Sequence, residues 1–167
     1  DLDGGSTCRR QCSTKRQGVN MESILVGVDH SQDSVRAARF AIERAALTGG
    51  RVAIAHVVYW SKFAFPTTVE NEARPGQVVL ERERAKAETL DPIAEWAEVE
   101  GHLNKIELVS KVLHGRPSEV LTDLADSGDY DMLVVARTGE SHLRNAIFGS
   151  TVDRLVRHAP VPVVVVP

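Results

Sequence analysis

Between Ala136 and Thr151 the chain reads ARTGESHLRNAIFGST: an apolar run stops, Gly139 follows, and Gly149 directly precedes Ser150 and Thr151. These residue types suit an anion. Glycines let a backbone approach a phosphate closely, successive amides and hydroxyls donate to its oxygens, and a helix starting here would add the positive end of its dipole. The segment has neither the GK[ST] of a Walker A loop nor the GxGxxG dinucleotide fingerprint. Gly149 and Ser150 also fit an ordinary turn and helix cap. The other group with chemistry is Asp29, which closes the apolar run from Ile24 to Val28. It could cap the next helix, but Ser31 is available for that, and a carboxylate at a strand end suits ribose recognition. The six histidines form no HExxH or similar ligand pattern and read as satisfied or exposed imidazoles, so no protein-bound metal is expected. No general base and nucleophile stand together beside the loop; slow hydrolysis of a bound triphosphate is the most that these residues support as catalysis.

The elements that must position these groups alternate. Ile24 to Val28, Arg51 to Val58, Glu107 to Leu113, Met132 to Ala136 and Val161 to Val166 are apolar runs of strand length. Their continuous character fits parallel strands covered on both faces. Between them lie helix-period segments. Ser31 caps a helix carrying Val35, Ala38, Ile42 and Ala45, which Gly49 and Gly50 stop. A long helix is predicted from about Gln77 to Val99, with Leu90, Ile93, Ala94 and Ala97 as its apolar stripe. Pro117 suits the first turn of a helix with Val120, Leu121 and Leu124 inward, and Val152, Leu155, Val156 and Ala159 mark the last helix. The stretch from Tyr59 to Gly76 reads as a long irregular flap. Five strands and four helices in this order predict an α/β fold, a doubly wound parallel sheet. In such sheets ligands sit past the carboxyl ends of the strands, which is where Asp29, Val57, Gly115 and the segment from Ala136 to Thr151 fall.

Composition agrees with one domain. The chain has 167 residues, 43% of them hydrophobic and 26% charged. Its formal charge of -3 supplies no basic field for nucleic acid or anionic membranes. Residues 1–20 carry Arg9, Arg10, Lys15 and Arg16 against Asp1 and Asp3, a net of +2 that leaves -5 for the rest. The same tail holds both cysteines, Cys8 and Cys12, too far apart for a CxxC pair and too few for a thiolate zinc site. No run approaches the length of a membrane span or the core of a signal peptide. A cytoplasmic protein is expected, with its natural start at Met21 and residues 1–20 as a disordered added or upstream tail.

From Met21 to Pro167 the chain resembles a universal stress protein domain. The resemblance is carried by ILVGVDHS, the AHVV strand, HGRPSEVL, and VVARTGESHLRNAIFGSTVDRLVRHAPVPVVVV. Nucleotide-binding members of that family show G-x2-G-x9-G-[ST], which Gly139, Gly149 and Ser150 match, while Ala136 stands where the first glycine would be. The resemblance implies strand order 3-2-1-4-5, helices on both faces, and ATP, or else ADP or AMP, lying across the switch point. Mg2+ would be carried by the nucleotide. It further implies that Asp29 accepts from the adenine or ribose, that Val57 contacts adenine through its backbone, and that Gly115 leaves room beside the ribose. Gly139, Gly149, Ser150 and Thr151 would donate to the phosphates, with Arg137 adding charge. A homodimer paired through Val163 to Val166 is implied as well. The expected function is an ATP-binding regulatory or stress-response protein. The alternative, kept open by Ala136, is a nucleotide-free dimeric interaction protein of the same fold.

Overall fold

The computed structural model describes residues 21–59, 68–139 and 149–167, with the side chains of 68–75 and 77 left aside. Five strands form one parallel sheet: β1 (Ser23–Val28), β2 (Arg51–Tyr59), β3 (Glu107–Gly115), β4 (Met132–Ala136) and β5 (Val163–Val166). Their order is β3-β2-β1-β4-β5, so the chain winds outward from β1 in both directions and the switch point lies between β1 and β4. Central β1 is in register with both neighbours, Val26 lying beside Ile54 of β2 and Val134 of β4.

Alternation along the strands builds two cores. Ile24, Val26, Val52, Ile54 and Val134 pack on one face beneath α1 (Gln32–Thr48) and α3 (Asp91–Val99). Leu25, Ala53, Leu133 and Val135 pack on the other beneath α4 (Pro117–Asp126) and α5 (Ser150–His158). Each fully buried Leu or Ile contributes roughly 1.5–3 kcal/mol of transfer free energy. The face of α1 toward the sheet is largely alanine, Ala37, Ala38, Ala41 and Ala45, which lets its backbone lie close. Ser31 caps it by accepting from the Ser34 amide, and Gly49 at φ 69° closes it, as its sequence predicts.

The connection after β2 departs from the sequence reading. Helix α2 (Thr68–Ala85) already spans much of the stretch expected to be irregular; Pro75 and Gly76 are outweighed by the Glu, Ala, Arg and Gln around them, all strong helix formers. Residues 60–67 of the predicted flap and the tail 1–20 lie outside the described residues. The single long helix predicted from Gln77 to Val99 is instead α2, one π-helical turn (Lys86–Leu90) and α3. Pro92 explains the break: it has no amide to give and its ring would crowd the carbonyl four residues back, so the backbone widens before it. β3 runs on to Gly115, and β5 starts at Val163, two residues later than predicted, after Pro162. No described helix is long and apolar enough to cross a membrane.

Candidate functional site

A cavity of about 740 Å³ opens at the carboxyl ends of β1, β2 and β4, over the switch point. Its size falls within the ordinary range for small-molecule sites, about 300–1,000 Å³. Of the residues singled out in the sequence, Asp29, Val57, Ala136, Gly139, Gly149, Ser150 and Thr151 line it. Gly115 and Arg137 are not among its lining residues. Gly115, at φ 143° with the Val120 side chain 2.9 Å from where a Cβ would stand, turns β3 into α4, and it is Pro117 and Leu121 of α4 that reach the cavity. Exposed Arg137 acts through its backbone: its amide donates to the Val166 carbonyl (2.8 Å) and its carbonyl accepts from the Gly149 amide (3.2 Å). That bond clips together the two ends of the loop whose residues 140–148 lie outside the described residues.

Asp29 is held from its own side of the chain. One carboxylate oxygen accepts from the Ser31 amide (2.9 Å) and the Ser31 hydroxyl (2.5 Å). The Ser34 hydroxyl donates to the Asp29 carbonyl (2.7 Å). Asp29 is thus tied into the start of α1 while Ser31 performs the capping. The other carboxylate oxygen faces Gly139, where an added Cβ would run into it. Any other residue at 139 would have to push the Asp29 carboxylate aside. Thr138 hydrogen-bonds the carboxylate of Asp33 on α1, bringing the end of the β4 loop over the β1 end.

The opposite rim is the start of α5. Gly149 is extended, at φ -64° and ψ 152°, and no side chain caps the helix. Its first intrahelical bond runs from the Asp153 amide to the Gly149 carbonyl, so the amides of Ser150, Thr151 and Val152 precede the helical ladder as donors. Ala136 stands where the motif has its first glycine. It is buried in the core beneath α1, with Val28, Ala37 and Val166 in the same cluster, and being strand it needs no glycine backbone. Its methyl therefore faces the core.

Sequence reasoning missed His56 and His30. Both line the cavity, and the reading of every histidine as satisfied or exposed holds only in part for His56, which is 5% exposed, has a backbone hydrogen bond at Val28 and has no partner on its Nδ1 among the described residues. Burial, and next the neighbouring His30, hold its pKa below the ordinary imidazole value, against an opposing pull from Asp29. The visible signal was a histidine inside the apolar run AIAHVV. No group of three or more His, Cys, Asp or Glu among the described residues could hold a metal ion.

The universal stress protein family model matches residues 21–167. The chain belongs to the universal stress protein family. A universal stress protein of Methanocaldococcus jannaschii is 26% identical over 159 residues, covering 90% of this chain and 85% of its own length. Among solved structures, a universal stress protein of Lactobacillus plantarum superposes with a TM-score of 0.75 at 23% identity, covering 90% of this chain and all of that one. A universal stress protein of Archaeoglobus fulgidus, solved in complex with dAMP, matches with a TM-score of 0.58 at 22% identity, over 90% of this chain and 100% of that one. Another, in complex with cAMP, has a TM-score of 0.61 at 23% identity over 87% of this chain and 97% of that one. The sheet order found here is the fold these universal stress proteins share.

Proposed function

We propose that this universal stress protein binds an adenine nucleotide in the cavity over the switch point and acts as a cytoplasmic regulatory protein in a stress response. The observation that carries this reading is the close approach of Gly139 to the Asp29 carboxylate at a cavity whose far rim is the uncapped start of α5. One end offers a fixed acceptor for ribose hydroxyls, and the other offers amides and the hydroxyls of Ser150 and Thr151 for a phosphate. Val57 and Ala136 form the wall between, Arg137 clips the loop, and Gly115 sets the α4 wall. The relatives solved with dAMP and cAMP support an adenine nucleotide; with ATP, Mg2+ would be held mainly by phosphate oxygens and water. The protein pairs with a second copy through the outer edge of β5 and uses neither nucleic acid nor membrane as partner.

The test is direct. Protein isolated without added nucleotide is denatured and the supernatant is analysed for adenine nucleotides; ATP, ADP and AMP are then titrated into stripped protein by calorimetry. Adenine nucleotide in the supernatant or saturable binding at or below millimolar concentration is expected. The absence of both signals would overturn the reading in favour of a nucleotide-free dimer.

A further inference from the structure

The two histidines of the cavity are not used by the reading above. His56 sits on β2 with Val28 of β1 and Val112 of β3 in register beside it. Its ring centroid is 4.7 Å from that of His30, inclined at 54°. His30 follows Asp29 in the chain, and its Nδ1 is held at 2.7 Å by the hydroxyl of Thr89, a buried residue of the π turn. The π turn that Pro92 forces thus fixes an imidazole at the mouth of the cavity. His56, behind it, keeps a buried Nδ1 with no hydrogen-bond partner.

We propose, on the basis of the adenine-nucleotide reading, that His30 and His56 form a further ligand-contacting element of the cavity, for which an adenine nucleoside and a proton compete. His56 lines the cavity, and its buried Nδ1 has no hydrogen-bond partner among the described residues; a ligand with hydrogen-bonding edges that fills the space and packs against the ring can supply one. A ligand also removes the water remaining around the pair, which raises the cost of a charged imidazole there. Two imidazoles at this separation resist double protonation for the same Coulombic reason. The charged or titratable groups that line the cavity or the adjoining pocket at His30 include Asp29, Tyr59, Glu81 and Arg84, and Arg39 and Glu88, with Asp33 on α1 and His114 on β3 beyond them; Glu119 of α4 belongs to the other face. Asp33 pairs with Arg36, Arg84 with Glu88, and His114 stands 4.0 Å from Glu81. Of all these, His30 and Asp29 are the ones that act on His56, and burial together with His30 outweighs Asp29. The free protein therefore holds His56 neutral near neutral pH, and acidification charges the site that the ligand must enter.

Adenosine carries no phosphate to titrate, so it is the probe. Its affinity is measured by calorimetry between about pH 8 and about pH 5.5 for wild type, His56→Gln and His30→Asn, with AMP in parallel. Wild type should lose about tenfold in affinity per pH unit once His56 titrates, for one competing proton. His56→Gln, which cannot titrate, should lose that slope. His30→Asn should start to weaken at higher pH, because the imidazole that holds the His56 pKa down is gone; it is a surface change and keeps the test intact should His56→Gln fail to fold. A flat wild-type profile, the wild-type slope retained in His56→Gln, or an unshifted onset in His30→Asn would overturn the inference while leaving nucleotide binding standing. No binding of adenosine or AMP even at about pH 8 would remove the functional reading and this inference together.

Discussion

Two glycines of the proposed phosphate loop do different work, and the difference is measurable. At Gly139 a Cβ would collide with the Asp29 carboxylate, so Gly139→Ala must displace the residue proposed to read the ribose. At Gly149 the backbone is extended with negative φ, and the nearest atom to an added Cβ is the Arg137 carbonyl oxygen at 3.9 Å. Among the described residues nothing therefore obstructs a side chain at Gly149, and Gly149→Val intrudes on the space proposed for the ligand. Gly149→Val should unfold within about 0.5 kcal/mol of wild type and yet lose about tenfold or more in AMP affinity, some 1.4 kcal/mol. Gly139→Ala should lose affinity and stability together. Calorimetry and urea unfolding of both variants check this; undiminished affinity in both would place the phosphate elsewhere. Ser31 belongs to the same scale, since it caps α1 through its oxygen while donating its proton to Asp29. The sequence shows the spacing of Asp29, Ser31 and Ser34, and coordinates were needed to show that one side chain serves both roles.

At the scale of elements, β5 is the edge that matters. The Leu133 amide donates to the Pro162 carbonyl and the Arg137 amide to the Val166 carbonyl. In an extended strand the amide and carbonyl of one residue point the same way and alternate along the chain. Val163 and Val165 accordingly direct their backbone groups away from β4, toward an edge with no strand beyond it among the described residues. Such an edge invites pairing with another chain. Val165→Pro removes an outward amide without touching the bonds to β4. If β5 forms the dimer, sedimentation should show this variant shifted toward monomer while its far-UV circular dichroism is kept; an unchanged dimer would move the interface off β5. The rod of α2, π turn and α3 carries the other lesson of this scale. Its apolar stripe was legible from spacing, with Ile93 and Ala97 buried as predicted. The π turn was not, because periodicity registers which face is apolar and says little about which carbonyl each amide reaches.

For the whole molecule, occupancy should appear as stability. A ligand that binds the folded state and not the unfolded chain adds about 2.7 kcal/mol at a hundred times its Kd. For a domain of this size each kcal/mol raises Tm by about 2–4 °C, so saturating nucleotide should raise the calorimetric Tm by about 5–10 °C. At the same nucleotide concentration Gly149→Val, binding about tenfold more weakly, should show about half of this rise or less, and equal rises in both proteins would mean that the stabilising site is not this cavity. The net charge of -3 makes the same point by another route. An acidic protein that holds a phosphate must do so with local donors, which are the α5 amides and hydroxyls rather than a general positive field.

The sequence by itself determined the alternation of strands and helices, the caps of α1 and both core faces, and it pointed to the segment from Ala136 to Thr151 as a candidate place for an anion. All of these rest on periodicity and spacing between residues close in the chain. Only the tertiary structure decided that Asp29 meets Gly139, that Ala136 turns its methyl into the core, that Gly115 and Arg137 act from outside the cavity, and that the buried His56 packs beside His30. Each of those depends on parallel pairing between strands far apart in sequence. There the register across β1, β2 and β4 sets which side chains share a face and a depth, and no local pattern encodes it.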